Sequence, residues 1–126
     1  MLRCVLLATA LVATAPAYSQ VARPFPADAL RGDLQMQAFP DVLLNSKPVR
    51  MSPGSVIRGE SNLVQLPGEL VGKRLLVHYR IEDTSGLIRD VWVLNSAERA
   101  NKVWPNSREQ AAKWRFDAAT QTWSKP

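Results

Sequence analysis

The sequence has one cysteine, Cys4, and one histidine, His78. A single cysteine excludes an internal disulfide, and zinc sites built from thiolates and imidazoles need more of both residues. The chain also lacks a phosphate-cradling glycine-rich loop, a Gly-x-Ser-x-Gly nucleophile elbow and an Asp-x-Asp-x-Asp calcium loop. We therefore expect no cofactor, no metal and no catalytic site, and we predict that the protein is not an enzyme.

No apolar run approaches the ~20 residues that a membrane-spanning helix needs. The chain opens with a basic start at Arg3, an apolar run over residues 5–15 and small residues ending at Ala17. This pattern predicts a secretory signal peptide over residues 1–17, whose cleavage also removes Cys4. Small exported domains without disulfides are typical of the bacterial periplasm. We predict a periplasmic protein with no transmembrane helix after cleavage.

The formal net charge is +5, and arginine dominates the basic side chains. No run of basic residues concentrates this charge, so one interpretation is a solvated surface with scattered charges. The other is an anionic partner such as lipopolysaccharide, peptidoglycan or an acidic protein. Export argues against nucleic acid as the partner.

The pattern of the mature chain changes at Asp33. Residues 18–32 read as an extended N-terminal arm, because Pro24 and Pro26 disfavour helix, with one helical turn ended by Gly32. Residues 33–95 contain short apolar segments separated by turn residues, which predicts a mainly β domain. We expect a small OB-like or SH3-like β-barrel of five to seven short strands, with a two-sheet sandwich as the alternative.

Two hairpins can be placed in this region. Asn45-Ser-Lys47 reads as a hairpin turn in which Asn45 tolerates a positive φ. The long strand over residues 73–81 returns over residues 87–94, and a five-residue loop would pair Ile81 with Leu87. This register gives one apolar face interrupted by Arg89 and places His78 opposite Asp90. The other face is mixed, and its apolar end needs a cover. That end comprises Leu76, Trp92 and Leu94.

Residues 96–126 are predicted to form a C-terminal helix and a Trp-rich strap that pack on the barrel. Ser107 and Gln110 have the spacing of a capping box, which predicts a short helix ending near Trp114. Residues 116–123 are expected to form either a small hairpin or an extended strap. The many large apolar side chains of this segment are too many for an unpacked tail.

The pattern LLNSKPVRMSPGSVIRG, followed by LVGKRLLVHYRIEDTSGLIRDVWVL, resembles a bacterial type of small exported β-barrel domain. In this pattern Leu70 and Gly72 open the long hairpin. With the segments FPADALRG and REQAAKWRFDAATQTW, the mature chain resembles a family of uncharacterised periplasmic proteins from betaproteobacteria. The resemblance implies export and a small barrel, and it implies no activity and no functional residue.

We expect a non-catalytic binding module whose partner is an envelope protein or an anionic or glycan envelope polymer. The candidate contact residues combine cations with indoles, which are common anchors at interfaces. They are Arg80, Arg89, Trp104, Arg108, Lys113, Trp114, Arg115 and Trp123. One alternative is an inhibitor of a lysozyme-type hydrolase, acting through the acidic loop Glu82 to Gly86. The other is a small hydrolase that uses His78 and Asp90, although a cross-strand pair that stabilises the hairpin is the better explanation of those residues, since no nucleophile is expected within reach of His78.

Overall fold

A computed structural model describes residues 23–126, so the predicted signal peptide lies outside the described residues. The structure is mainly β, with two short α-helices and one 3-10 turn. The strands are β1 (Leu30–Met36), β2 (Asp41–Leu44), β3 (Lys47–Arg58), β4 (Val64–Gln65), β5 (Arg74–Ile81), β6 (Ile88–Val93), β7 (Arg115–Asp117) and β8 (Thr122–Ser124). The helical segments are the 3-10 turn Pro67–Leu70, α1 (Ser96–Ala100) and α2 (Arg108–Lys113).

Five strands close into a barrel. The sheet order is β2-β1-β5-β6-β3-β4, and a further pairing of β2 with β3 closes the ring, with β4 as an extra strand beside β3. All neighbours in the ring are antiparallel except β3 and β6, which run parallel. This small closed barrel confirms the predicted OB-like fold class.

Alternate residues of the barrel strands point inward and form the main core. Leu70, from the 3-10 turn after β4, also belongs to this core. The buried members are Leu30, Leu34, Met36, Val42, Leu44, Met51, Ile57, Leu70, Val77, Tyr79, Ile88, Val91 and Val93. The other face of β5 and β6 is left to be covered by other parts of the chain.

The β2–β3 hairpin has the predicted turn. Asn45 and Ser46 both have positive φ, at 52° and 67°, as a two-residue type I′ turn requires. The Asn45 side chain accepts a hydrogen bond from the Asp33 N–H at 2.9 Å, which ties the turn to β1. The Ser-Pro-Gly segment at residues 52–54 is typical of a turn, but β3 continues through it as one strand with an irregular pairing to β6 between Met51 and Val56.

Gly32 lies inside β1 opposite Val77, so the prediction that it ends a helical turn is wrong. A Cβ atom at this position would lie 3.1 Å from side-chain atoms of Leu44, Asn45 and Tyr79. The absence of a side chain therefore lets the β2–β3 turn approach the barrel wall closely.

The predicted register of the β5–β6 hairpin is wrong. Ile81 pairs with Ile88, and the register then shifts so that Arg80 pairs with Asp90 and His78 with Trp92. Arg89 is the extra residue of this β-bulge, which moves its charged side chain off the apolar face on which the simple register placed it. His78 and Asp90 are consequently not cross-strand partners.

The tail forms the hairpin that was one of the two expected arrangements. β7 pairs with β8, with Phe116 opposite Trp123. In α2 the Ser107 side chain accepts from the Gln110 N–H at 3.2 Å, as a capping box predicts. The Gln110 side chain, however, accepts from the Asn106 N–H at 3.0 Å, one residue earlier than the motif implies.

Candidate functional site

A second apolar core lies outside the barrel, on the outer face of β5 and β6. The N-terminal arm and the tail cover this face from both ends of the described chain. Its buried members are Phe25, Ala29, Leu94, Trp104 and Trp123, and Leu76, Trp92, Ala111, Trp114 and Phe116 pack against them. Several polar side chains that are buried or half-buried lie at the edge of this second core.

Trp104 is the centre of the second core. Its indole ring stacks on the imidazole of His78, with centroids 4.1 Å apart, and its N–H donates to the Ala29 carbonyl at 2.9 Å. Phe25 stands edge-on to the same imidazole at 4.4 Å. His78 is therefore enclosed by aromatic rings, and only 1% of its surface is exposed.

Among residues 23–126, the only side chain that hydrogen-bonds to His78 is that of Arg31. The guanidinium donates from Nε and Nη2 to Nε2 of His78, at 3.3 and 3.1 Å. Because Nε2 is the acceptor, the proton of the neutral ring resides on Nδ1. Burial, together with the positive charges of Arg31 and Arg23, lowers the pKa of His78 to about 2. His78 is thus neutral at physiological pH.

Arg31 is itself a buried cation, with 9% of its surface exposed. Besides His78, it donates to the backbone carbonyls of Asn101 and Glu98. Burial lowers the pKa of Arg31, and the nearby charge of Glu98 partly opposes that effect. A guanidinium remains protonated under such perturbation, so Arg31 carries a full positive charge in an apolar setting.

Arg23 anchors the N-terminal arm beside Arg31. Its guanidinium forms a two-pronged ion pair with Glu98 and also donates to the carbonyls of Gly59 and Val93, each at 2.8 Å. Glu98 accepts from the Asn95 N–H as well, and the Asn95 side chain accepts from the Glu98 N–H, which makes a capping box at the start of α1. The same carboxylate therefore caps a helix and holds the arm.

A cavity of about 200 Å³ opens beside these groups. We call it the arginine cavity. Its buried lining includes Phe25, Arg31, His78 and Trp104, and exposed Ala97, Thr120 and Thr122 lie at its rim. The remaining lining residues are Arg23, Asn95, Glu98, Asn101 and Gln121.

A separate, more open groove of about 470 Å³ lies on the barrel. It is bounded by β2, the start of β3 and the loops that join β1 to β2 and β5 to β6; in OB-folds this region binds oligonucleotides and oligosaccharides. The charged side chains of Asp41 and Arg50 pair with each other at 3.2 Å. The lining residues are Gln37, Asp41, Val42, Pro48, Val49, Arg50, Gly86 and Leu87.

The structure separates the predicted contact residues into several environments. Trp104 and Trp123 are buried in the second core, with 5% and 7% of their surfaces exposed. Arg89 is exposed at the bulge of β6.

Two of the predicted cations are neutralised by carboxylates. Arg80 pairs with Asp28 at 3.0 Å and with Asp90 at 3.4 Å, and Asp28 holds the pKa of Arg80 above its usual value. Arg108 pairs with Asp83 at 2.8 Å. The latter contact also reduces the negative charge of the loop predicted for an inhibitor.

Three of the predicted residues, Lys113, Trp114 and Arg115, remain together at the end of α2. Lys125, which the sequence analysis did not select, lies with its ammonium 5.3 Å from the Trp114 ring centroid. We call these four residues the tail patch. Within residues 23–126, none of its three cations lies within ion-pair distance of a carboxylate.

Sequence reasoning missed Arg23, Arg31 and Glu98. They are far apart in the chain, so no local spacing connects them. The one available signal was Asn95 followed three residues later by Glu98, which is a helix-start motif. That motif would have identified α1, but not the arginines that meet there.

The chain matches no family model, no curated protein and no solved structure. In residues 23–126, no helix has the length and apolar character needed to cross a bilayer. Nor do the described residues include a cluster of three or more histidine, cysteine, aspartate or glutamate side chains placed to hold a metal ion.

Proposed function

We propose that this protein is an exported, non-catalytic binding module of the bacterial periplasm that holds an anionic envelope polymer through the tail patch. The observation that carries the proposal is that three cations without a carboxylate partner among the described residues lie beside one indole: Lys113 and Arg115 flank Trp114 in the sequence, and Lys125 lies over its ring. Arg50, Arg80, Arg99 and Arg108 each have a carboxylate partner, whereas the three cations of the tail patch have none within the described residues. Uncompensated surface charge is where an anionic partner gains the most.

The geometry around Trp114 favours an anionic partner over a neutral sugar. The Lys125 ammonium lies over the indole ring, so a sugar stacking on the same face would have to displace it. An anionic group would instead meet Lys125, with Lys113 and Arg115 beside it. Residues 107–126 carry four cations and two carboxylates, which keeps the segment positive.

The test is co-sedimentation of the purified protein with peptidoglycan sacculi and, separately, with lipopolysaccharide aggregates. A triple variant, Lys113→Gln with Arg115→Gln and Lys125→Gln, removes the patch charges. A matched control, Lys47→Gln with Lys73→Gln and Arg74→Gln, removes the same charge from exposed positions on the barrel. We expect the patch variant to bind about tenfold more weakly, as three exposed contacts of roughly 0.5 kcal/mol each imply.

Salt gives a second criterion. Binding should weaken strongly between about 0.1 M and about 1 M salt, where the Debye length falls from about 10 Å to about 3 Å. Equal loss in the two triple variants would attribute binding to net charge and contradict the patch. Failure of the unmodified protein to sediment with either polymer would overturn the proposed function.

The groove supports a second candidate, binding of a neutral oligosaccharide. It lies where OB-folds bind extended oligomers, and the pairing of Asp41 with Arg50 leaves it without net charge. Binding at the groove would survive high salt and the patch substitutions. It would be abolished by Val49→Glu, because that change puts an unpaired charge on the groove wall.

A further inference from the structure

The arginine cavity has an excess positive charge. Both oxygens of Glu98 are used by Arg23, and one also accepts from the Asn95 N–H. Among residues 23–126, the acceptors that Arg31 contacts are all neutral: the His78 ring and two backbone carbonyls. Two arginines, one glutamate and a neutral histidine leave one positive charge that no carboxylate of residues 23–126 contacts. Burying such a charge is costly unless an anion accompanies it.

The arginines of the cavity also have N–H groups without an acceptor among the described residues. Each guanidinium has five N–H groups, and the contacts of Arg23 and Arg31 leave one Nη1 N–H of each without an acceptor among residues 23–126. Arg31 is buried, and buried donors are rarely left unpaired in proteins, so its remaining N–H indicates a missing acceptor.

The walls and size of the cavity limit what that acceptor can be. A volume of about 200 Å³ exceeds the ~150 Å³ of a known engineered cavity that holds benzene. Phe25 and Trp104 supply flat apolar walls, while the donors lie on Arg23 and Arg31. A small ligand with a planar or apolar body and one carboxylate fits this cavity. Its body would pack against the apolar walls, and its carboxylate would meet the guanidinium groups, which bind carboxylates well.

We infer that the arginine cavity is a binding site for a small organic carboxylate, with its charge on Arg31 and Arg23 and its body against Trp104 and Phe25. This site is distinct from the tail patch, and it does not depend on polymer binding. A small organic anion would also supply the charge that the buried cluster lacks.

The test is titration of the purified, untagged protein at neutral pH with sodium benzoate, at constant ionic strength. His78 is the only histidine of the chain, so its imidazole nitrogens give a single pair of NMR signals. We expect the Nε2 signal, which reports on the contact with Arg31, to shift and saturate with a half-point of about 1 mM, a usual affinity for so small a ligand. Benzamide has the same shape without the charge, and it should bind at least about tenfold more weakly.

Two variants locate the site. Thr122→Phe narrows the rim and should weaken benzoate binding at least about tenfold, whereas Ser124→Phe, on the same strand but away from the cavity, should leave the affinity unchanged. Arg31→Gln removes the charge and should abolish saturation; if Arg31→Gln does not fold, Thr122→Phe still tests the site. The inference is overturned if the signal does not saturate, if benzamide binds as well as benzoate, or if Thr122→Phe binds normally.

Discussion

Arg31 donates two N–H groups to the single acceptor nitrogen of His78, and this contact determines the protonation of the buried ring. A protonated imidazole would have no lone pair for the guanidinium and would place a second positive charge beside it. Both effects lower the pKa of His78, as burial does. The pair therefore links the stability of the fold to pH.

The first prediction concerns that pH dependence. The pKa of His78 is about 2 in the folded protein against 6.5 as the ordinary value, so between these limits the unfolded chain binds more protons. The contribution to stability is fully present above 6.5 and falls by about 1.4 kcal/mol for each pH unit below it. Urea unfolding between about pH 6.5 and pH 5, above the range in which most carboxylates titrate, measures this slope. In His78→Gln the slope should largely disappear, and an unchanged slope would show that another group is responsible.

The second prediction compares two ion pairs. Glu98→Gln breaks the contact with Arg23, in which 13% and 10% of the two side chains are exposed. It leaves a buried guanidinium without its counter-charge and should cost about 3–5 kcal/mol of unfolding free energy. Glu60→Gln breaks the pair with Arg99, whose side chains are 56% and 45% exposed, and should cost less than about 1 kcal/mol. Chemical denaturation of both variants checks the difference.

The third prediction compares two tryptophans. Trp104→Phe removes an indole N–H that donates to the Ala29 carbonyl, and it leaves that buried acceptor without this donor. Trp123→Phe removes an indole N–H that has no partner among residues 23–126. Both changes delete the same atoms from the second core, so Trp104→Phe should destabilise the protein by about 1–3 kcal/mol more. Thermal or urea unfolding of the two variants measures this difference. Equal losses of stability would mean that the hydrogen bond contributes nothing.

The fourth prediction concerns the β2–β3 turn. Ser46 has a φ of 67°, which glycine adopts without the steric cost that a Cβ atom brings. Ser46→Gly creates the Asn-Gly sequence preferred in type I′ turns and should stabilise the protein by about 0.5–1 kcal/mol. Asn45→Ala should destabilise it, because alanine tolerates the positive φ poorly and lacks the oxygen that accepts from Asp33. In the same unfolding assay, we expect the two variants to change stability in opposite directions. A loss of stability in both would contradict the assigned turn type.

Sequence patterns predicted those parts of the structure that depend on near neighbours. The barrel class follows from the spacing of short apolar segments, and the Asn45 turn follows from local backbone preference. The β5–β6 register failed for two reasons: the connection between the paired residues Ile81 and Ile88 is one residue longer than expected, and a bulge adds a second residue at Arg89. A charged residue on an otherwise apolar face was a sign of the bulge. The cluster of Arg31, His78 and Glu98 could not be predicted, because only the closed barrel brings these distant positions together.

The hydrogen bond between the two ends of the described chain has a consequence for the order of folding. The Phe25 N–H donates to the Gln121 side chain, across 96 positions of sequence. The second core likewise joins the arm to Trp104 and Trp123, so it can close only after synthesis has reached Trp123. Until then Leu76 and Trp92 present an apolar wall without its cover, which is the kind of surface that chaperones bind and that aggregation begins from. Completion of the last hairpin is thus the step that ends this exposure.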